Sequence, residues 1–232
     1  MLTFLQQAFR DHYHTGAVLP SSPWLARSMT RSVRLARGPK RVLEVGPGTG
    51  SFTRLILSSL CKGDEFQLVE VNPAFVLRLE KRHLAAFRSS RPEIPLTLHP
   101  SKLEAAEIEG PFDYIVCSLP FKNFSPATVR SIFRKLLSLL TEDGELTYFE
   151  YAGQRAFHAP LVSRTKRRKL RRIEAINRCL CRRHQGSRKF VPLNILPAYA
   201  VNLKGVRPSG PLAGFERAPL SKSGTSGLPV GS

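Results

Sequence analysis

Val42-Leu43-Glu44-Val45-Gly46-Pro47-Gly48-Thr49-Gly50-Ser51-Phe52 decides the fold of this chain. Two β-branched valines, a leucine and an acid run straight into a turn with glycine at every second place. Such a run reads as a buried parallel strand that delivers backbone to a point of close approach to a ligand. Gly46, Gly48 and Gly50 leave room where a Cβ would stand and tolerate left-handed backbone. The spacing is Gly-x-Gly-x-Gly, with Ser51 where a dinucleotide-binding turn would carry its last glycine. Glu44, inside the strand end, would repel a pyrophosphate and favour a cationic ligand.

A second strand, Phe66-Gln67-Leu68-Val69-Glu70-Val71-Asn72, ends in an acid about 20 residues further on, the interval of one strand-helix-strand unit. A carboxylate there can accept hydrogen bonds from both hydroxyls of a ribose. Together the two segments resemble the S-adenosylmethionine (SAM) site of class I methyltransferases. The resemblance implies that Glu44 serves the amino-acid end of the cofactor, directly or through water. It also implies that Gly46, Pro47, Gly48 and Gly50 border the cofactor chain, and that Glu70, with Val71 beside it, holds the ribose. The competing reading is a tight glycine turn in some other α/β domain.

Strands are expected at 42–46, 66–71, 95–99, 112–117 and 145–151, with helices at 51–61, 73–89 and about 126–140 between them. This alternation predicts a mostly parallel sheet covered by helices on both faces. Two late strand-like pieces, 188–196 and 199–204, would close it as the antiparallel pair of a seven-stranded, Rossmann-like class I methyltransferase sheet. A helix over 2–13 groups Leu2, Leu5, Phe9 and Tyr13 on one face, and a second runs from about Pro23 to Ala36. The organisation read from this is an amphipathic cap over 1–37, a catalytic domain over 38–204, and a disordered Gly/Pro/Ser-rich tail over 205–232.

The strand Phe112-Asp113-Tyr114-Ile115-Val116-Cys117 ends in Ser118-Leu119-Pro120-Phe121, at the sheet edge where open parallel sheets bind ligands. Ser118 could offer its hydroxyl or carbonyl to an amine, Pro120 would stiffen the turn, and Phe121 would pack either on a substrate or in the core. No general base stands out. His12, His14, Tyr148 and Tyr151 are candidates, each with a structural role as its alternative. The tetrapeptide is similar to the Asn-Leu-Pro-Phe/Tyr of rRNA adenine dimethylases, with Ser118 in place of the asparagine that helps hold the amine there.

A broader resemblance is to bacterial phospholipid N-methyltransferases. It runs through Gly16-Ala17-Val18-Leu19-Pro20-Ser21-Ser22, Val42 to Phe52, Val69 to Pro73, Ser118 to Phe121, Leu146 to Tyr151 and Leu193 to Tyr199. It implies methyl transfer from SAM to the amino headgroup of phosphatidylethanolamine, a first helix docked on the membrane, and Pro20 and Ser21 at the border of the cofactor pocket. The segment His99-Pro100-Ser101-Lys102 lacks the acid that many class I enzymes use for the adenine amine, which leaves Ser101 or backbone for that contact.

The net charge of +19 asks for an anionic partner, either a lipid surface or nucleic acid. The excess concentrates between Arg164 and Lys189, where Glu174 is the sole acid. A solvated helix face is the plain alternative, but a run of one sign cannot hold itself together by internal ion pairs. Cys61, Cys117, Cys179 and Cys181 show neither zinc spacing nor a disulfide framework, so no metal is expected and the thiols read as reduced. No apolar run reaches the roughly 18 residues of a membrane span. These features place the chain in the cytoplasm, peripherally on the inner face of the membrane. RNA adenine methylation is the alternative function, and a non-enzymatic binder of anionic surfaces is a third.

Overall fold

The computed structural model describes residues 21–152 and 164–205. Seven strands form one sheet: β1 (Arg41–Val45), β2 (Glu65–Val69), β3 (Leu96–His99), β4 (Phe112–Cys117), β5 (Leu140–Tyr151), β6 (Ser187–Val191) and β7 (Ala198–Lys204). Their spatial order is β3-β2-β1-β4-β5-β7-β6. The first five are parallel, and β7 runs antiparallel between β5 and β6. This is the seven-stranded arrangement expected of the class I methyltransferase sheet. The leading helix over 2–13, Pro20, His12, His14 and the tail from 206 lie outside the described residues.

Three helices begin the same way, on a polar cap followed by proline. The Ser22 Oγ accepts from the Leu25 amide at the start of α1 (Pro23–Met29). Asn72 Oδ1 accepts from the Ala74 amide ahead of α4 (Pro73–Leu79), and Ser125 Oγ from the Thr128 amide ahead of α6 (Pro126–Ser138). The cap satisfies an orphan amide, and the proline sits where no hydrogen is needed. Between them lie α2 (Arg31–Leu35) and α3 (Thr53–Leu57). After α4 a π-helical turn (Glu80–Leu84) leads into α5 (Ala85–Ser90), and α7 (Arg164–Arg183) comes late in the chain.

Two apolar layers sandwich the sheet. On one face α6 buries Val129, Ile132, Phe133 and Leu136, at helical spacing, with Ile173, Ile176 and Leu180 of α7. On the other, Leu25 and Met29 of α1 pack with Phe52, Ile56, Phe66 and Leu68. Burying side chains of this size stabilises by roughly 1.5–3 kcal/mol each, before entropy is counted.

Three boundaries differ from expectation. The helix expected over Pro23–Ala36 is broken at Thr30, whose hydroxyl turns back to the Ala26 carbonyl (2.8 Å). The Glu142-Asp143-Gly144 segment interrupts β5 rather than preceding it: register passes from Phe112↔Leu140 to Tyr114↔Glu145, so the intervening residues bulge. The strand expected over 188–196 ends at Val191, because Pro192 has no amide to give the ladder.

Candidate cofactor cleft

Strand order reverses between β1 and β4, which leaves a crevice beyond their carboxyl ends. Backbone bonds extend the ladder one residue past each tip: the Gly46 amide donates to Val69 O (2.9 Å), and the Ser118 amide to Val45 O (2.8 Å). The glycine loop and the turn after β4 are thereby held side by side. Gly46, Gly48 and Gly50 all have positive φ, at 71°, 56° and 85°. A Cβ at Gly48 would meet no atom within 4 Å, whereas one at Gly50 would stand 2.8 Å from the His83 ring. Gly48 therefore faces open space, and Gly50 permits helix packing. Pro47 is buried, and its carbonyl accepts the Gly50 amide (3.0 Å) to close the turn.

Glu44 is fully buried. Its Oε2 accepts a hydrogen bond from the Thr53 hydroxyl (2.8 Å), and its Oε1 has no partner. Burial pushes the carboxyl from 4.5 up to about 8, opposed by the Thr53 bond and reinforced by the nearby Glu70 charge. Glu70, at the tip of β2, accepts from the Gly48 amide through Oε2 (3.0 Å) and from the Asn72 amide through Oε1 (2.9 Å). Burial raises its pKa, and those backbone bonds pull partly the other way. Each carboxylate oxygen keeps a further lone pair for a hydroxyl donor.

The cleft is lined by Gly46, Glu70, Val71 and Ser101, and also by Leu103, Leu119 and Phe124. Leu103 and Phe124 carry no spacing signal in the sequence, nor does Thr53, which holds Glu44; Leu119 stands inside the Ser118–Phe121 turn, where sequence alone assigns it no wall. Ser118 Oγ is buried and without a partner. Pro120 precedes a short 3-10 turn, Phe121–Asn123.

Phe121 corrects one expectation. Its ring is 5% exposed, stacked on Phe133 (centroids 4.6 Å apart) and edge-on to Tyr148 (5.7 Å). The ring belongs to the core and is not presented to a substrate. Tyr148 is likewise in the core, with burial raising its phenol far above the ordinary value, so it cannot serve as a base near neutrality. Tyr151 ends β5 with its ring edge-on to Phe149, and its carbonyl accepts from Lys122 Nζ (3.3 Å). Ser21 directly precedes Ser22, whose amide donates to Asn194 Oδ1 (2.9 Å), which anchors it beside the β6–β7 turn. His99, at the tip of β3, is tied by its Nε2 to Gln67 Oε1 (2.9 Å).

The donor set fits SAM on two structural observations. A buried, unpartnered carboxyl oxygen suits the cofactor's ammonium group, and the space beside Gly48 suits its chain.

Comparison with known proteins agrees. A family model described as a methyltransferase domain matches residues 43–146, from β1 into β5. Ornithine lipid N-methyltransferase of Singulisphaera acidiphila is 26% identical over 157 residues, covering 66% of this chain and 81% of that protein. A ribosomal RNA small subunit methyltransferase of Arabidopsis thaliana is 28% identical over 123 residues, 53% of this chain but 32% of that protein. Among solved structures, an rRNA-methylase candidate from Clostridium thermocellum superposes with a TM-score of 0.56 at 14% identity, covering 81% of this chain and all (100%) of its own. An O-methyltransferase of tomaymycin synthesis from Streptomyces achromogenes gives 0.55 at 14% identity, over 86% of this chain and 88% of that one. At such identities these structures speak for the fold alone. The strand order, the paired acids at the first two strand tips and the domain match together support a SAM-dependent methyltransferase with the class I fold.

Proposed function

We propose that the chain methylates the amino nitrogen of a membrane-lipid headgroup, of the phosphatidylethanolamine type or another amine-bearing lipid, while peripherally attached to the inner face of the membrane. The observation that carries this reading is the breadth of its likeness to the ornithine lipid enzyme, which spans 81% of that protein. The likeness to the plant rRNA enzyme covers 32% of that protein.

SAM, when bound, supplies a methyl carbon already activated by positive sulfur. The chain's task is then to align an amine and exclude water. Ser118 stands at the tip of β4 beside the glycine loop, and its unpartnered hydroxyl oxygen can accept an amine N–H and so orient the lone pair. Leu119 and Phe124 give the cleft apolar walls.

RNA adenine methylation is the second reading, favoured by the Ser118-Leu119-Pro120-Phe121 turn and the positive charge. It is weakened at Phe121, because a ring committed to Phe133 is not available to stack on a base. Incubation with labelled SAM and separate lipid, RNA and protein fractions decides between them. Label in the amine-bearing lipid supports the proposal, and label confined to RNA overturns it.

A further inference from the structure

The turn joining β6 to β7 inverts the usual chemistry of a surface loop. Its one polar side chain points inward to structure: Asn194 accepts from the Ser22 amide (2.9 Å) and donates through Nδ2 to Leu196 O (2.9 Å). Its apolar side chains face out, with Leu193 57%, Ile195 60% and Leu196 48% exposed. Pro192 and Pro197 flank the turn, and Pro197 O accepts the Ala152 amide, so it is a braced projection. Trp24 of α1, which begins on this turn through Ser22, is 53% exposed, and Phe190 of β6 is 49% exposed. Water does not select such a surface, and a contiguous apolar projection marks a contact site.

Its place in the fold says what it contacts. Tyr151 and Val191 both pair with Ala198, which puts the turn at the sheet edge where the parallel strands end, the edge of the cofactor cleft. The basic helix starts at that edge too. Lys169 Nζ reaches Asn123 O (3.1 Å) just after β4, and the far end of α7 lies by Lys204, whose amide donates to His184 O (2.8 Å). Arg164, Arg168, Arg171 and Arg172 are exposed along the near half, and exposed Lys189 stands on β6 itself. An apolar tip and a cationic stripe on one edge match a bilayer with anionic headgroups, which takes both signals at once.

We infer that the 192–197 turn, with Trp24, inserts into the interface of an anionic lipid bilayer and so sets the cofactor edge against the membrane. This deepens the lipid reading above but is measured without it. The full chain is added to vesicles of phosphatidylcholine with phosphatidylglycerol. Trp24 is the single tryptophan, so a blue shift of its emission reports insertion directly. Sedimentation gives the affinity. Combining Leu193→Ser, Ile195→Ser and Leu196→Ser should weaken vesicle binding at least about tenfold, since each removes apolar area from the contact. Its SAM affinity should be unchanged. Leu35→Ser, equally exposed but at the end of α2 leading into β1 at the opposite edge, should bind like the parent. Parental binding by the triple variant, equal loss in Leu35→Ser, or no Trp24 shift with sedimented parent would overturn the inference. So would tight capture of another protein by the turn with vesicles ignored. Methylation of lipid in detergent micelles, which needs no bilayer docking, separately tests the substrate: failure there removes the lipid acceptor and leaves the vesicle result standing on its own.

Discussion

Replacing Glu44 by glutamine should change stability in a way that depends on pH, and the dependence can be worked out. In the folded chain burial lifts this carboxyl to about 8 from 4.5. Below about pH 4 it is protonated in both folded and unfolded chains, so it contributes no difference. Between those two values the unfolded chain releases a proton that the folded chain retains, and folding loses stability as pH rises. The loss reaches about 3 kcal/mol at pH 7 and levels off above pH 8. A glutamine cannot ionise, while its amide oxygen can keep the Thr53 hydroxyl bond. The Glu44→Gln variant should therefore gain on the parent by about 3 kcal/mol between pH 4 and pH 7, or roughly 6–12 °C in Tm for a chain of this size. Glu70, also raised by burial, contributes to the pH dependence of both proteins and largely cancels in their difference. The gain in stability should come with a loss of function. An ammonium beside Glu44 favours its ionised form, so SAM binding should expel a proton and strengthen from about pH 6 to 8, by up to tenfold per pH unit. Urea unfolding across pH and calorimetry in buffers of different ionisation enthalpy measure the two effects. A stability advantage of Glu44→Gln that is flat with pH, or unchanged SAM affinity in that variant, would refute the reasoning.

Gly48→Ala and Gly50→Ala should separate function from packing. Both force a side chain into left-handed backbone at about 1 kcal/mol, but only Gly50→Ala also meets the His83 ring, so thermal melting should show it the less stable by roughly a further 1–3 kcal/mol. SAM affinity should fall for Gly48 replaced by a bulky residue such as leucine, measured by calorimetry, because the space there is otherwise open. Glu70→Ala should abolish measurable SAM binding and also cost about 1–3 kcal/mol through the stranded Gly48 and Asn72 amides. Asp64→Ala should cost about 3–5 kcal/mol in urea unfolding without touching the cleft, because it strands buried Lys40, whose Nζ lies 2.5 Å from Asp64 at the opposite sheet edge.

Much of this architecture could be read from residues that answer to local chemistry. Ser22-Pro23, Asn72-Pro73 and Ser125-Pro126 announce helix starts because a cap and a proline act within one turn of backbone. Glu44 and Glu70 could be placed because strand, glycine turn and strand fix where each tip must lie. The walls of the cleft were not legible. Leu103, Leu119 and Phe124 come together only when β3, β4 and the chain following them are laid over the loop, and nothing in their spacing tells a cleft-lining leucine from a core one.

Phe121 shows why the reaction side was harder to read than the cofactor side. A residue just past a strand tip can face the ligand or turn under the next helix, and the choice depends on which hydrophobes that helix presents. Here α6 presents Phe133 and β5 presents Tyr148, and a ring that stacks on one at 4.6 Å and meets the other at 5.7 Å gains more from the core than from an open edge. In the proposed reading the acceptor side then rests on the Ser118 hydroxyl, the apolar walls and whatever surface brings the acceptor in. A lipid amine arrives on a bilayer, so its delivery depends on how the edge is presented, and less on an aromatic clamp of the kind an extruded base requires. On the lipid reading proposed above, the core position of Phe121 and the outward-facing side chains of the β6–β7 turn fit together: the edge around the pocket would carry acceptor recognition that an aromatic clamp carries elsewhere.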